Sequence, residues 1–337
     1  MNILVGDIGG TKSLLALASW DGKRWRLRNE QRFENAHWPG LKEVSCAYLE
    51  RTDIQLGELT GVCFGVAGPV HQEADRQFAS LTNLPWTLDN RLLASELEVP
   101  VAKLINDFEA LGFGVGQLEE DDLIALYSFP AQEDGPKLVF GAGTGLGLCQ
   151  LVGESDGRRH LLPSEIGHTD FAAANIEQLE LQRYYLQQQS RVSRENLLSG
   201  GGLARIFHFL SSKTAPSPDL VHALNITEDK AAEIARFAIE EEEPVAKQAL
   251  ELFADIYGSQ AGDMALAYRP TGGLYLGGGI APKILVKPEY KAIFLNAYAN
   301  KAPMTELVEK TPLYIIANPY APLLGCAYAI HTQHIRQ

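Results

Sequence analysis

Two stretches decide the fold: ILVGDIGGTKSLLALASW, from Ile3 to Trp20, and KLVFGAGTGLGLCQLV, from Lys137 to Val152. Each is an apolar run, a glycine turn and a second apolar run, the pattern of two strands joined by a tight hairpin. Both turns contain Gly-Thr, at Gly10-Thr11 and at Gly143-Thr144. A β-turn-β unit that recurs within one chain points to a duplicated architecture with two related lobes, each offering a glycine hairpin to a common ligand.

Outward from the first unit come a strand-like Trp25 to Phe33, a helical pattern from Leu41 to Leu49 and the apolar run Val62 to Val66. A strand over Val101 to Ile105 then passes into a helical pattern from Phe108 to Val115. Strands interleaved with helical crossovers form a mixed sheet, hence an α/β protein. A polar interval around Glu119 to Asp134 leads to the second unit. Beyond it the chain is richer in helix, with candidates at Ile176 to Gln189, Asp229 to Glu241, Pro244 to Tyr268 and Leu323 to His331. Before the last of these, GGLYLGGGIAP, Gly272 to Pro282, reads as a strand running into three glycines. No low-complexity linker separates the lobes, so the chain crosses between them through ordered elements.

The 337 residues, 46% hydrophobic, suffice for two moderate cores. Forty-two acidic against 29 basic side chains give a formal charge of −13, which repels nucleic-acid backbones and anionic membranes. Any anion this chain binds must be met locally, by backbone N–H groups, helix N-termini, a few cations or a metal ion. Cys46, Cys63, Cys149 and Cys326 lie far apart, which suggests neither a zinc site nor a disulfide framework. Cys63 and Cys149, in apolar runs, read as core residues. Met1 leads straight into Ile3-Leu4-Val5 without a basic leader, and no segment has about 20 apolar residues in a row, so the expectation is a cytoplasmic protein.

Several clusters carry possible chemistry. In the first hairpin, Gly9 and Gly10 can bring backbone N–H groups to phosphate oxygens, Thr11 and Lys12 add side-chain donors, and Asp7 can hold a hydrated Mg²⁺. The bland alternative is an ordinary tight turn, and no P-loop is present. Gly141 to Gly147 is similar to a dinucleotide fingerprint, but Leu146 and Leu148 stand where the third glycine would fall and a strand follows, against a Rossmann dehydrogenase. Four alternating glycines there favour close approach of a ligand over turn geometry alone. Gly277-Gly278-Gly279 is equally consistent with a ligand-facing backbone or a strand-to-helix turn. Gly153-Glu154-Ser155-Asp156-Gly157 matches a nucleophile elbow formally but sits among charged residues, as an exposed hairpin tip does. Glu165 and His168, followed by Asp170, place a carboxylate and an imidazole that can grip vicinal hydroxyls; the alternatives are a hydrogen-bonded loop or a metal site, the metal being the weaker reading with so few cysteines and no second His at ligand spacing. Asn106-Asp107, at a strand end, is either a ligand pair or a helix cap.

Taken together these motifs resemble the bacterial glucokinase family of the hexokinase and actin-like superfamily, over nearly the whole chain. DIGGTK is similar to that family's phosphate loop, GAGTGLG to its second phosphate loop, LYLGGGI to the segment beside the adenosine, and LTNLPW (Leu81 to Trp86) to a stretch near the sugar. The resemblance implies a two-lobed ribonuclease H-like fold with duplicated mixed sheets and a cleft between lobes, the small domain from 1–117 plus 317–337 and the large from 118–316. It implies ATP-dependent phosphorylation of glucose, with Asp107 as general base and Asn106, Asp107, Glu165, His168 and Glu195 as sugar ligands. ATP would lie against Asp7, Gly9, Gly10, Thr11, Lys12, Gly143, Thr144, Gly277 and Gly278, with Mg²⁺ reached through water from Asp7. A homodimer is implied as well. Lys12 stands where some relatives carry Asn, and Ser164 and Ile166 where some carry Gly. The Cys-rich zinc motif of the related repressor and open-reading-frame kinase group is absent, which places the chain with the zinc-free glucokinases. The competing readings are a kinase of another hexose or with another donor, an actin-like ATPase, and a sugar-sensing regulator.

Overall fold

The structure is a computed structural model that describes residues 2–52, 54–81, 84–153 and 159–334. It divides into two compact units, Met1–Asp122 with Asn318–Gln337, and Leu123–Ala317.

The first unit contains β1 (Ile3–Ile8), β2 (Lys12–Trp20), β3 (Trp25–Glu34), β4 (Gly61–Val66), the short β5 (Val70–Glu73), β6 (Arg76–Ser80) and β7 (Thr87–Asp89), and β8 (Ala102–Asn106). Its main sheet runs β3-β2-β1-β4-β8, antiparallel from β3 to β1 and parallel from β1 to β8. β1 and β4 are apolar almost throughout because both faces of the sheet are covered. On one face Leu4 and Ile8 join a core with Tyr48 and Leu49 of the helix Leu41–Thr52. On the other, Ile3 and Val5 join Leu323, Ala327 and Ile330 of the helix Ala321–His334.

The second unit contains β9 (Leu123–Tyr127), β10 (Lys137–Ala142), β11 (Leu146–Gly153), β12 (Arg159–Ser164), β13 (Gly273–Gly277) and β14 (Leu313–Ile316). Its sheet runs β12-β11-β10-β13-β14-β9. The first three strands are antiparallel and the step through β13 to β14 is parallel, so five strands repeat the first sheet in order and direction. The repeat first visible as two glycine hairpins therefore extends across both sheets, the duplicated α/β arrangement of ribonuclease H-like proteins. The helix Pro244–Tyr268 runs through the middle of this unit's core, and its bounds agree with the sequence reading. Proline opens its first turn, Glu243 caps it by accepting from the Ala246 N–H, and Arg269 ends it at a φ of 45°.

Two segments depart from the sequence reading. β9 lies inside the stretch read as a polar interval, and it pairs antiparallel with β14 at the sheet edge. Only Leu126 of its five residues is buried, so no alternation announced it. The three-stranded sheet β5-β6-β7 was likewise missed, because its strands are short and mostly exposed. Gly153 and Arg159 pair across β11 and β12, so a strand follows the elbow-like motif where an elbow needs a helix; Glu154 to Gly157 lie outside the described residues. Among those described, no helix is long and apolar enough to cross a membrane, and all four thiols are free.

Candidate functional site

In the first unit, β1, β4 and β8 are parallel and end on one rim, where open α/β sheets carry their ligand groups. Asp7 stands opposite Gly65 and Asn106 opposite Val66. Asn106 caps the helix Asp107–Val115: its side chain accepts from the Phe108 N–H, and Glu109 reaches back to the Asn106 N–H to complete a capping box. Its amide also donates to the Gly68 carbonyl at 3.0 Å. Asn106 is thus the cap that its position suggested, and its amide is shared between the Gly68 carbonyl and the Asp107 carboxylate. Asp107, the first residue of the helix, accepts from the Phe108 N–H at 2.9 Å. Burial raises its carboxyl above the ordinary range, opposed by hydrogen bonds from the Phe108 N–H and the Asn106 side chain. Burial, with the neighbouring Asp107 charge, also pushes Asp7 up to about 6. A buried carboxylate raised by a neighbouring one is suited to hold a proton or meet a cation.

The first hairpin is held from below by a residue that sequence reasoning missed. Asn35, fully buried at the end of β3, donates its side-chain amide to the Gly9 carbonyl at 2.8 Å and its backbone N–H to the Thr11 carbonyl at 2.9 Å. Its side-chain oxygen accepts from the buried Ser13 hydroxyl at 2.7 Å. The available signal was Ser13 itself, a polar residue opening the apolar run of β2. Lys12 pairs with Glu34 at 3.2 Å, both more than half exposed. Such a pair contributes about 0 to 1 kcal/mol, so the ammonium exchanges partners at little cost.

In the second unit the hairpin after β10 packs against the triple glycine after β13. Gly278 has a φ of +81°, and a Cβ there would lie 2.4 Å from the Ala142 carbonyl and 3.4 Å from the Gly143 nitrogen. That turn requires glycine and sets Gly278 beside Gly143, with Gly277 opposite Gly141. The helix Gly200–Ser211, capped by Ser199, presents its N-terminus to the same hairpin: the Gly200 N–H donates to the Gly143 carbonyl at 2.8 Å. Gly200 and Ser199 were also missed, although Ser-Gly-Gly-Gly before an apolar helix is a readable start signal. The Gly143 N–H is used inside the hairpin, donating to the Gly145 carbonyl. A Cβ at Gly143 meets no protein atom within 4 Å.

Glu165, His168 and Glu195 lie together in this unit. Glu165 precedes and His168 ends the short 3-10 turn Ile166–His168, both exposed, with Glu165 Oε2 3.8 Å from His168 Nε2. Arg191 holds the end of this turn, donating to the His168 carbonyl at 2.7 Å and pairing with Asp170. The Glu195 N–H donates to the Gly167 carbonyl at 3.0 Å, and Glu195 Oε2 accepts from the Leu146 N–H at 2.9 Å. Glu195 thereby ties the Glu165–His168 turn to the second glycine hairpin. A concavity of about 650 Å³ lined by Tyr185, Arg205, His208 and Lys230 contains none of these residues. Of LTNLPW, Leu81 and Trp86 are buried; Thr82 and Asn83 lie outside the described residues. Among the described residues no group of three or more His, Cys, Asp or Glu is placed to hold a metal ion alone.

The sequence profile of the family "Glucokinase" matches residues 4–333. A glucokinase of Trichormus variabilis is 37% identical, the match covering 96% of this chain and 97% of that protein. Among solved structures, glucokinase from an Antarctic psychrotroph superposes with a TM-score of 0.81 at 28% identity, over 98% of this chain and 99% of that one. Glucokinase from Balamuthia mandrillaris, solved with glucose, gives 0.77 at 22% identity over 98% and 93%, a likeness of fold. Duplicated sheets with paired glycine hairpins and these likenesses define a sugar kinase. The chain belongs to the glucokinase family.

Proposed function

We propose that the protein transfers the terminal phosphoryl group of ATP to the 6-hydroxyl of glucose. The observation that carries this reading is the bonding of Glu195 to both the glycine hairpin and the Glu165–His168 turn. It sets groups suited to sugar hydroxyls next to a backbone suited to phosphates. The membership of the family and the names of its relatives support it.

In this reading Asp107 accepts the proton of the sugar hydroxyl as its oxygen bonds to the γ-phosphorus, the bond from that phosphorus to the bridging oxygen breaks, and ADP leaves. Asn106, Glu165, His168 and Glu195 orient the sugar. Gly9, Gly10, Thr11 and Lys12 of one hairpin, Gly143 and Thr144 of the other, and the turn at Gly277 and Gly278 bind the nucleotide. Asp7 would hold Mg²⁺ through water, and it fits the ion because a cation relieves a buried carboxylate that burial and the Asp107 charge hold up. When bound, the ion neutralises charge on the transferring phosphoryl group. We further propose a cytoplasmic homodimer.

The test is mass spectrometry of products from a panel of hexoses and phosphoryl donors. Glucose 6-phosphate formed fastest from ATP and glucose is the expected result. ATP turnover indifferent to added sugar would replace the reading with a sugar-independent ATPase.

Gly143→Ala tests the nucleotide assignment cleanly. Its φ lies outside the left-handed region and the new methyl meets no protein atom, so the melting temperature should hold. Turnover at saturating glucose should fall roughly 10- to 100-fold, as misplacement of a reacting phosphate does. Normal turnover with an unchanged nucleotide-induced melting shift would show that the hairpin is only a turn.

A further inference from the structure

We infer that Glu195 is a latch through which bound sugar orders the nucleotide-binding hairpin, an inference that rests on the function proposed above. Its carboxylate faces two ways. Oε2 is committed to the Leu146 N–H at 2.9 Å, and a Cβ at the neighbouring Gly145 would lie only 2.8 Å from that oxygen. Oε1 has no hydrogen-bond partner among the described residues. A sugar hydroxyl that donates to Oε1 fixes the carboxylate's torsions, and the carboxylate in turn fixes the hairpin from which Leu146 projects.

The backbone around this residue makes the coupling local and stiff. The Glu195 N–H is bonded to Gly167, between Glu165 and His168, and the Glu195 carbonyl accepts from the Ser199 hydroxyl at 2.8 Å. Ser199 caps the helix whose first N–H, that of Gly200, bonds to Gly143. Two routes therefore run from Glu195 to the hairpin, one through its side chain to Leu146 and one through Ser199 and Gly200 to Gly143. Only the first contains a rotatable, half-buried side chain able to meet a ligand. A nucleotide that arrives after the sugar finds the hairpin already ordered and loses less conformational entropy on binding. By linkage, nucleotide tightens sugar by the same factor.

His168 provides the contrast. Its side chain lies within 4 Å of Glu165, and no hydrogen bond joins it to the hairpin among the described residues. Loss of His168 should weaken sugar without uncoupling the two ligands.

The experiment is isothermal titration of the full-length protein with glucose and with a non-hydrolysable magnesium nucleotide, each alone and in the presence of the other. In the unaltered protein, saturating glucose should tighten nucleotide binding roughly 5- to 100-fold. Glu195→Ala should bring that factor to about one and weaken nucleotide in the absence of sugar roughly 2- to 10-fold, the loss of one hydrogen bond. Glu195→Gln keeps a carbonyl for the Leu146 N–H, so it should weaken glucose yet retain coupling. His168→Ala should weaken glucose with the coupling factor intact. If Glu195→Ala does not fold, Gly145→Ala displaces the carboxylate from the other side, and lost coupling there supports the latch. Coupling that survives in the Glu195→Ala or Gly145→Ala protein overturns the latch while leaving the sugar site standing. Glucose affinity untouched by both Glu195→Ala and His168→Ala would overturn the sugar-site reading itself.

Discussion

Replacing Asp107 by Asn is expected to lower kcat by roughly 10²- to 10⁴-fold, the contribution of a positioned general base, while glucose affinity weakens only modestly. The amide keeps an oxygen for the Phe108 N–H that Asp107 now accepts, so the helix start is preserved and the loss falls on basicity. Burial raises the Asp107 carboxyl, which makes it a stronger base than a solvated aspartate and places the acidic limb of kcat/KM above the ordinary aspartate range. That limb should vanish in the variant. Stopped-time product assays from pH 4 to 8, with glucose titrated at each pH, measure both effects; near-normal kcat in the variant would remove Asp107 from the base role.

The second large effect is expected from Asp7→Asn, and it has opposite signs for stability and for activity. Asp7 is raised from 3.8 to about 6, so the folded protein holds a proton more tightly than the unfolded chain. Stability conferred by this group is complete below pH 4 and is lost as pH rises through about 6. Above that pH the buried charge costs up to about 3 kcal/mol. The amide removes the charge, so at pH 8 without ligands the melting temperature should rise by roughly 5 to 10 °C, and at pH 4 it should scarcely change. Turnover should nevertheless fall by at least about tenfold as the water-mediated hold on the cation is lost, and the added melting shift from a magnesium nucleotide should shrink. A melting temperature that drops equally at both pH values would mean Asp7 is structural.

Much of this fold was legible because its signals are local. The hairpins at Gly9–Lys12 and Gly143–Gly145 and the helix Pro244–Tyr268 carry their turn residues and apolar periods within a few positions. Asn106 and Asp107 could be placed at a strand end from sequence, although the capping box that absorbs most of the Asn106 side chain depends on Glu109 folding back. What escaped was tertiary. The Glu195 contact with Leu146 joins residues 49 apart, and Asn35 reaches Gly9 across 26. No period or spacing announces either bond. β9 escaped for another reason: an edge strand with one buried residue has no face to alternate.

The duplicated sheets hold their two glycine hairpins by unlike restraints. Asn35 is fully buried and spends its polar groups on Gly9, Thr11 and Ser13, so the first hairpin is fastened by the protein's own interior and keeps its shape whatever is bound. The second is fastened by Glu195, half-buried, whose far oxygen is left to an outside molecule. Duplication thus produced one copy that behaves as a fixed anvil and another whose rigidity is supplied partly by its cargo. Drift at position 35 would be punished through folding in every condition, whereas drift at position 195 would cost one hydrogen bond in the free protein and more once substrate is present.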